Sequence, residues 1–421
     1  MRILLVTQHF SPEITSCALR MDAFTEAWRE EGHDVTVLTA VPNHPEGVIH
    51  QGYRGRPVVR ERRGSADVVR TWVRTSPGKG AVARLMTYGS FAAMATTVGA
   101  LRVPRPDIVV ATTPPPMAGV AGAALATRYR VPFVLDVRDL WPDAAIAMGE
   151  LAPGRAASAL QALVQWLYRR ADLVVAATEG FAEEIGHGAE VIPNGCDPRV
   201  AALPDDAGEA IRHRLGLEDR FVVGFVGNHG VCEGLEEVVD AAGLLGADSG
   251  VHLLMVGDGP RRDELIARAN ATQARNVTFH PPVSVDEVGS FIRASDVLIV
   301  PLRNDPHFST RFPAKLFDAW ACGRPVLVGW DGDARRLAEG IAAGSFAPSG
   351  RPEALAAEMI RLRDLGPDVL RERGRNGRAW VLAERNRSAA ARRLADRLAQ
   401  VAGFVVDETP AADDVPAVPV R

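Results

Sequence analysis

A lysine and an aspartate stand three residues apart in the stretch TRFPAKLFDAWACGRPVLV, residues 310–328. The pattern predicts a helix that begins near Pro313 and carries Lys315 and Asp318 in its first turns. One interpretation is an exposed ion pair, which would stabilise the helix by about 0.3 kcal/mol. The other is a nucleotide clamp, in which Arg311, Lys315 and the free N–H groups at the helix start bind a diphosphate. Asp318 would then accept hydrogen bonds from vicinal ribose hydroxyls.

Two glycine-rich turns precede this stretch, and each follows an apolar run typical of a buried strand. The first is GNHGVCEG, residues 227–234, which includes Asn228. The second, VGDGPRRDEL, includes Gly257, Asp258 and Gly259 and leads into a predicted helix. Because glycine lets a backbone approach a diphosphate closely, both turns are candidates for the nucleotide site.

The first half of the chain has candidate residues in the loops after two predicted strands. RDLWPDAAIAMG places Arg138, Asp139 and Trp141 together, which suits a sugar site because aromatic faces pack on the apolar faces of sugars. The alternative is an Arg–Asp pair that caps the next helix. TQHFSPEITSCALR lacks the G-x-G-x-x-G of dinucleotide dehydrogenases, and its His9 and Glu13 could point into a ligand cleft. A purely structural role is the alternative for His9.

Short β-branched runs alternate with amphipathic stretches along both halves, which predicts a doubly wound α/β architecture. The predicted parallel strands are residues 2–6, 34–39, 67–73, 107–112, 132–137 and 172–178, followed by 221–227, 251–257, 276–280, 296–302 and 325–330. We expect two Rossmann-like domains, residues 1–190 and 198–380, facing each other across a cleft. Residues 381–402 are predicted to be helical and to cross back to the first domain. The acidic, Pro-rich residues 407–421 are predicted to be disordered.

Composition argues against several classes of protein. The chain has 421 residues, of which 47% are hydrophobic and 24% charged, as in soluble globular proteins. A net charge of −4 gives no reason to expect nucleic acid as a partner. The four cysteines contain no C-x-x-C pair, so we expect reduced thiols, no zinc site and a cytoplasmic protein.

One uncharged stretch, residues 85–101, raises the question of a membrane. It is short for a membrane span, and the opening MRILLVTQHF does not predict a signal peptide. A core helix is one interpretation, and a helix resting on the inner face of the cell membrane is the other, because basic residues precede it. These basic residues are Arg54, Arg56, Arg60, Arg62, Arg63, Arg70, Arg74, Lys79 and Arg84. A solvated Arg-rich surface would explain the same pattern.

Four stretches resemble retaining glycosyltransferases of family 4, and above all the bacterial amino-sugar (fucosamine-type) transferases of O-antigen and capsule synthesis. They are RDLWPDAAIAMGEL (138–151), VIPNGCD (191–197), LLMVGDGPRRDEL (253–265) and FPAKLFDAWACGRPVLV (312–328). The resemblance implies the GT-B fold and transfer of a sugar from a nucleoside diphosphate to an acceptor hydroxyl with retention. By family habit the donor would be UDP-linked, and in this subgroup an N-acetylated amino sugar. The acceptor would be a small molecule, a glycan or a lipid-linked sugar, and no metal or other cofactor is implied.

The resemblance also implies roles on the donor side. Lys315 would bind the donor diphosphate and Asp318 the ribose hydroxyls. The Gly257–Gly259 turn would line the nucleotide pocket, and Asp333, in WDGDA, would touch the donor. On the acceptor side we expect Arg138 and Asp139 to orient donor sugar and acceptor as the catalytic pair, with His9 and Trp141 nearby.

Three residues depart from the family pattern. Thr310 stands where a donor-sugar-binding glutamate is usual, and Asn228 and Glu233 stand where an arginine and a lysine usually grip the diphosphate. These departures leave open a catalytically degenerate protein that binds a nucleotide sugar or acts as a scaffold. A nucleotide-sugar epimerase of related architecture is a further alternative.

Overall fold

Two compact units make up the structure, a computed structural model that describes residues 1–44, 47–64, 66–75, 81–147, 149, 151–303, 305 and 308–404. The first unit is Met1–Asn194 together with the C-terminal segment from Arg387, and the second is Gly195–Asn386. The segment 407–421, predicted to be disordered, lies outside the described residues.

The first unit is built on a sheet that contains eight strands among the described residues. They are β1 (Arg2–Val6), β2 (Asp34–Ala40), β3 (Val58–Arg63), β4 (Ala66–Thr71), β5 (Ile108–Thr113), β6 (Phe133–Val137), β7 (Leu173–Ala176) and β8 (Glu190–Val191). Their order is β3-β4-β2-β1-β5-β6-β7-β8, and every pair is parallel except β3 with β4. The helices of this unit are α1 (Ser16–Glu30), α2 (Ala81–Arg102), α3 (Pro116–Tyr129), α4 (Asp143–Ala147), α5 (Arg155–Arg170), α6 (Glu179–Ile185) and α16 (Arg387–Val401).

The second unit contains a parallel sheet in the order β11-β10-β9-β12-β13-β14 within the part of the chain described. Its strands are β9 (Phe221–Val226), β10 (Val251–Val256), β11 (Val277–His280), β12 (Val297–Val300), β13 (Val326–Val328) and β14 (Gly344–Phe346). Its helices are α7 (Pro198–Ala201), α8 (Glu209–Leu215), α9 (Leu235–Leu245), α10 (Arg262–Ala271), α11 (Val285–Arg293), α12 (Ala314–Ala321), α13 (Asp333–Gly340), α14 (Pro352–Asp364) and α15 (Gly366–Glu384). The strand order reverses between β9 and β12, and ligands of such sheets bind beyond the carboxyl ends of the strands at this point.

Each strand predicted from the sequence is present, which confirms the doubly wound architecture. Strands β3, β8 and β14 were not predicted. The sequence of β3 is VVRERR, whose charged residues suit an edge strand but hide the apolar signal. Strands β8 and β14 have two and three residues, too few to show a period.

The uncharged stretch at 85–101 lies inside α2, whose Phe91, Ala95 and Val98 are buried against the first sheet. The core interpretation of this helix is therefore confirmed for its middle turns, whereas Leu101 in its last turn is 79% exposed. Its first turns are different, because Leu85 and Met86 are 60% and 44% exposed. No described helix is long and apolar enough to cross a membrane.

Residues 381–401 are helical apart from a break at residues 385–386, and the part after the break belongs to the first unit, as predicted. Helix α15 ends at Glu384 in the second unit, and α16 begins at Arg387 in the first. The break coincides with Asn386, which forms an isolated bridge with Cys196. After the break, α16 packs on α1, where the Trp28 Nε1–H donates to the carbonyl oxygen of Ala391 at 2.8 Å.

The packing of α16 can be tested by Leu394→Ala. Leu394 is 1% exposed, so we expect the first unit to lose about 3 kcal/mol of unfolding free energy through lost burial and the cavity left behind. Urea unfolding followed by circular dichroism measures the loss. The control is Asp396→Ala at an exposed position of the same helix. Equal stability of the two variants would show that α16 does not contribute to this core.

Candidate functional site

The turns after β9 and β10 meet backbone to backbone. Gly257 has a φ of 134°, and a Cβ at this position would overlap the carbonyl oxygen of Gly227. A Cβ at Gly259 would lie 2.5 Å from Asn228 Oδ1, and the His229 N–H donates to the carbonyl oxygen of Asp258 at 2.8 Å. The two predicted glycine turns therefore form one surface, and side chains would keep them apart.

Lys315 reaches this surface from the second residue of α12. Its Nζ lies 4.4 Å from the centroid of the Phe225 ring and would be 3.5 Å from a Cβ at Gly227. It also donates to Glu233 Oε2 at 2.6 Å. Pro313 is the N-cap residue of α12 and makes no side-chain cap hydrogen bond. Because Lys315 is in the first turn, it lies at the positive end of the helix dipole.

Lys315 also stands out in the composition. The chain has 48 Lys and Arg residues, of which only Lys79 and Lys315 are lysines, and Lys79 lies outside the described residues. Lysine is a compact point charge on a flexible stem, whereas arginine carries a planar fork. Between a glycine backbone and a phenyl ring, the smaller head group is the one that fits.

The other predicted donor residues lie on neighbouring loops. Asp318, one turn after Lys315, accepts a hydrogen bond from the Asp197 N–H at 3.1 Å through Oδ1, so a ribose would share this carboxylate with the backbone. The Arg311 guanidinium lies 4.7 Å from the Phe308 ring centroid. Asp333 forms an ion pair with Arg336 in the first turn of α13. The structure thus groups Lys315 directly with the glycine turns.

His229 was not singled out from the sequence. Its side chain is fully buried, and neither ring nitrogen has a hydrogen-bond partner among the described residues. The ring lies between Phe225 and Phe279, with centroid distances of 5.7 and 6.4 Å. Burial, helped by Arg262 and Lys315, lowers its pKa to about 4, so the imidazole is neutral at pH 7 and adds no charge to the site. A histidine inside a glycine-rich turn was the only sequence signal.

In the first unit, His9 and Glu13 form a hydrogen-bonded pair after β1. His9 Nδ1 lies 2.8 Å from Glu13 Oε2, and Glu13 Oε1 accepts from the N–H groups of Asn43 and His44 at 2.7 and 2.9 Å. Burial opposes ionisation of Glu13, but these hydrogen bonds outweigh it and lower the pKa. The expectation that Glu13 points into a cleft is wrong, because it is 5% exposed and ties two loops together. His9, with 21% of its side chain exposed, is the partner that can meet a ligand.

The predicted cluster after β6 is held by the neighbouring loops. Arg138 donates to the carbonyl oxygen of Pro114 at 2.8 Å, and its buried Nε has no partner among the described residues. Asp139 Oδ1 accepts from the Leu140 N–H at 3.0 Å. The Trp141 ring lies 6.3 Å from that of Tyr88, in an edge-on arrangement. The sequence had left a sugar site and a helix cap open, and these contacts fix the loop without choosing between them.

Arg20 of α1 holds the segment that follows β8. It is 2% exposed, forms an ion pair with Asp136 at 3.2 Å and donates to the carbonyl oxygens of Ile192 and Pro193 at 2.8 and 3.0 Å. This contact gives the VIPNG stretch a structural role that the sequence pattern did not reveal. Among the described residues, no group of three or more His, Cys, Asp or Glu is arranged to hold a metal ion.

Two family models match the chain, one in each unit. Residues 17–195 match a glycosyl transferase 4-like domain, and residues 220–364 match glycosyl transferases group 1. The first matched segment begins inside the predicted domain 1–190 and ends five residues after it, and the second lies inside the predicted domain 198–380. Both descriptions agree with the predicted glycosyltransferase.

Curated relatives agree with these models. The chain is 27% identical over 342 residues to WcaI of Escherichia coli K12, assigned as a colanic acid biosynthesis glycosyl transferase, covering 78% of this chain and 83% of WcaI. It is 30% identical over 322 residues to a D-inositol 3-phosphate glycosyltransferase of Acidothermus cellulolyticus, covering 67% and 69%. With the corresponding protein of Xylanimonas cellulosilytica, the alignment spans 55% of that protein.

Solved structures agree in fold. Anabaena HepE in complex with UDP and glucose superposes with a TM-score of 0.70 at 19% identity, covering 95% of this chain and 100% of HepE. Sucrose-phosphate synthase of Thermosynechococcus elongatus gives a TM-score of 0.73 at 20% identity, covering 95% and 98%. Since both halves match and the fold is GT-B, the chain belongs to the group 1 glycosyltransferases, with a glycosyl transferase 4-like N-terminal domain.

Proposed function

We propose that the protein transfers a sugar from a UDP-linked donor to an acceptor hydroxyl, with retention of configuration, in the synthesis of a polysaccharide or other glycoconjugate. The observation that carries the proposal is the position of Lys315, at an open helix start and against two glycine turns. That arrangement offers a diphosphate an ammonium group, backbone N–H groups and a helix dipole.

The nature of the sugar and nucleotide rests on similarity. HepE has been crystallised with UDP and glucose, and WcaI is assigned to colanic acid biosynthesis. They support a UDP donor, and the N-acetylated amino sugar rests on the resemblance of the sequence alone. Asp318 is proposed to bind the ribose, and Asn228, the Gly257–Gly259 turn, Arg311 and Asp333 to surround the donor.

The proposed chemistry needs no metal or other cofactor. Lys315 and the N–H groups of α12 would stabilise the leaving diphosphate, whose oxygen would accept the proton of the acceptor hydroxyl. In the first unit, Arg138 and Asp139 would orient donor sugar and acceptor. His9, fixed by Glu13, and Trp141 would bind the acceptor.

A nucleotide-sugar-binding scaffold without activity is the alternative that Thr310, Asn228 and Glu233 suggest. The matches to named glycosyltransferases over both halves do not favour it. Turnover distinguishes the two, because a scaffold would bind the nucleotide sugar and release no UDP in the presence of any acceptor. Epimerised free nucleotide sugar without an acceptor would indicate an epimerase instead.

The donor site predicts a specific effect of Lys315 on UDP binding. UDP should raise the thermal midpoint of the native protein, because it binds only the folded state. Lys315→Ala should weaken UDP about tenfold to a hundredfold, the loss expected for a charged hydrogen bond. Lys315→Arg keeps the charge but enlarges the head group, so we expect it to bind UDP poorly as well.

Arg371→Ala, which removes a cation from the exposed face of α15, is the matched control and should bind UDP normally. Titration calorimetry gives the affinities. Unchanged UDP affinity in both Lys315 variants would refute the assignment of the diphosphate site.

We also propose that the first unit rests on an anionic membrane surface, which would suit a lipid-linked acceptor. Trp72, Leu85 and Met86 are 41%, 60% and 44% exposed, and we call them the apolar patch. The Arg74 N–H donates to Ser90 Oγ at 2.9 Å, and the Trp72 N–H to the Pro57 carbonyl at 2.9 Å, so these segments are neighbours. Arg54, Arg56 and Arg74 lie near Pro57 and Trp72 in the sequence, and their basic side chains are exposed.

Vesicles test this surface. The protein should co-sediment with vesicles of anionic phospholipid and much less with zwitterionic ones. The double variant Leu85→Glu, Met86→Glu should bind anionic vesicles at least about tenfold more weakly. The two glutamates remove the apolar side chains that would enter the membrane, and their negative charges are repelled by the anionic lipids. Leu244→Glu, at an exposed leucine of α9, is the control. Wild-type protein that stays in the supernatant with anionic vesicles would rule the surface out.

A further inference from the structure

The ammonium group of Lys315 already has an anionic partner. Glu233 Oε2 lies 2.6 Å from Nζ, and the two side chains are 17% and 19% exposed. A pair this sheltered from water interacts more strongly than a surface pair. Glu233 therefore occupies a position on Lys315 that an oxygen of the donor diphosphate would take.

The backbone that carries Glu233 is held in place. Glu233 ends a short 3₁₀ turn, Val231–Glu233, that lies between Gly230 and Gly234. The Arg303 N–H donates to the carbonyl oxygen of Cys232 at 2.9 Å and anchors this turn. Gly234, with a φ of 61°, redirects the chain into α9. Rotation about the side-chain bonds of Glu233 can therefore displace the carboxylate without moving this turn.

A diphosphate and a carboxylate compete for one cation here. Both are anions, and the free energy of two like charges close together in a sheltered site is unfavourable. Lys315 is bounded on its other sides by the Phe225 ring and the Gly227 backbone, so it has little room to serve both. Since His229 is neutral, it does not offset the extra negative charge.

We propose that Glu233 is an internal competitor of the donor diphosphate. In the empty site its carboxylate holds Lys315 in an extended, ready conformation. When the diphosphate binds, the Glu233 side chain rotates away and the phosphate oxygens take its place. The exchange lowers the affinity for both donor and product and so favours release of the nucleoside diphosphate after transfer. This inference rests on the donor site proposed above.

Glu233→Gln tests the competition, because the amide keeps the shape and removes the charge. We expect UDP to bind about tenfold more tightly, which corresponds to about 1.4 kcal/mol. Uridine, which has no phosphates, should bind with unchanged affinity. Titration calorimetry measures both ligands, and circular dichroism verifies the fold; Glu233→Ala provides a second variant with the same expected direction.

Asp240→Asn is the matched control. Asp240 lies on α9 of the same unit and accepts from Arg268 at 2.6 Å, so the substitution removes the same charge from a similar ion pair. Asp240→Asn should leave the UDP affinity within about twofold of the wild-type value, because an exposed ion pair contributes little free energy. An equal gain in Asp240→Asn would mean that net charge alone is responsible, and the proposal would be overturned.

The double variant Lys315→Met, Glu233→Gln separates the inference from the proposed function. If Glu233 acts through Lys315, the gain from Glu233→Gln should vanish in the Lys315→Met background. One outcome is that UDP binding depends on Lys315 but is no tighter in Glu233→Gln than in the wild type. This result would agree with the proposed donor site and refute the proposal that Glu233 competes with the diphosphate. UDP that binds neither wild type nor Glu233→Gln would refute the donor site itself.

Discussion

The close approach of the turns after β9 and β10 is the constraint on which the proposed donor site depends. Gly257 lies against the carbonyl oxygen of Gly227, and the Asp258 carbonyl accepts from the His229 amide. A side chain at Gly257 would push these strand ends apart. The surface beside Lys315 is therefore made of the Gly227 backbone and the Phe225 ring, and the proposed diphosphate would meet backbone there.

Several arginines of the second unit form ion pairs with carboxylates of the same unit. Arg261 pairs with Glu236 and Glu264, and Arg268 with Asp240. Lys315 likewise pairs with Glu233 of a separate turn, and it also lies in the first turn of α12, where the helix dipole is positive. In the proposed donor site the attraction for an anion would come from this ammonium group and the helix start, and the Glu233 carboxylate would oppose it.

The first unit fixes its loops by buried ionic contacts. Glu13 accepts from His9 and from two backbone amides of another loop. Arg20 pairs with Asp136 and binds the carbonyl oxygens that follow β8. Buried charges are stable only when such partners surround them, so these contacts hold the loops at the carboxyl edge of the sheet in defined positions.

The amino-acid sequence by itself determined the elements and their class. Apolar runs bounded by glycine and proline predicted the long strands, and the FPAKLFDAW pattern predicted α12 with Lys315 near its start. These signals are local, since a strand or an amphipathic helix shows its period within about ten residues. The edge strand β3 was not predicted, because its arginines and glutamate do not form the apolar run of a buried strand. The break between α15 and α16 was not predicted, because the position of α16 depends on its packing against α1, which is far away in the sequence.

Only the tertiary structure decided the partners of the functional side chains. The sequence predicted that Glu233 lies near the proposed diphosphate site, but its ion pair with Lys315 joins residues 82 positions apart. Burial of Glu13 and His229 likewise depends on neighbouring loops, which a linear pattern does not show. The physical reason is that hydrogen bonds, ion pairs and desolvation depend on distance in space. The sequence specifies which groups are present, and the packing of the strands and loops selects which of them meet.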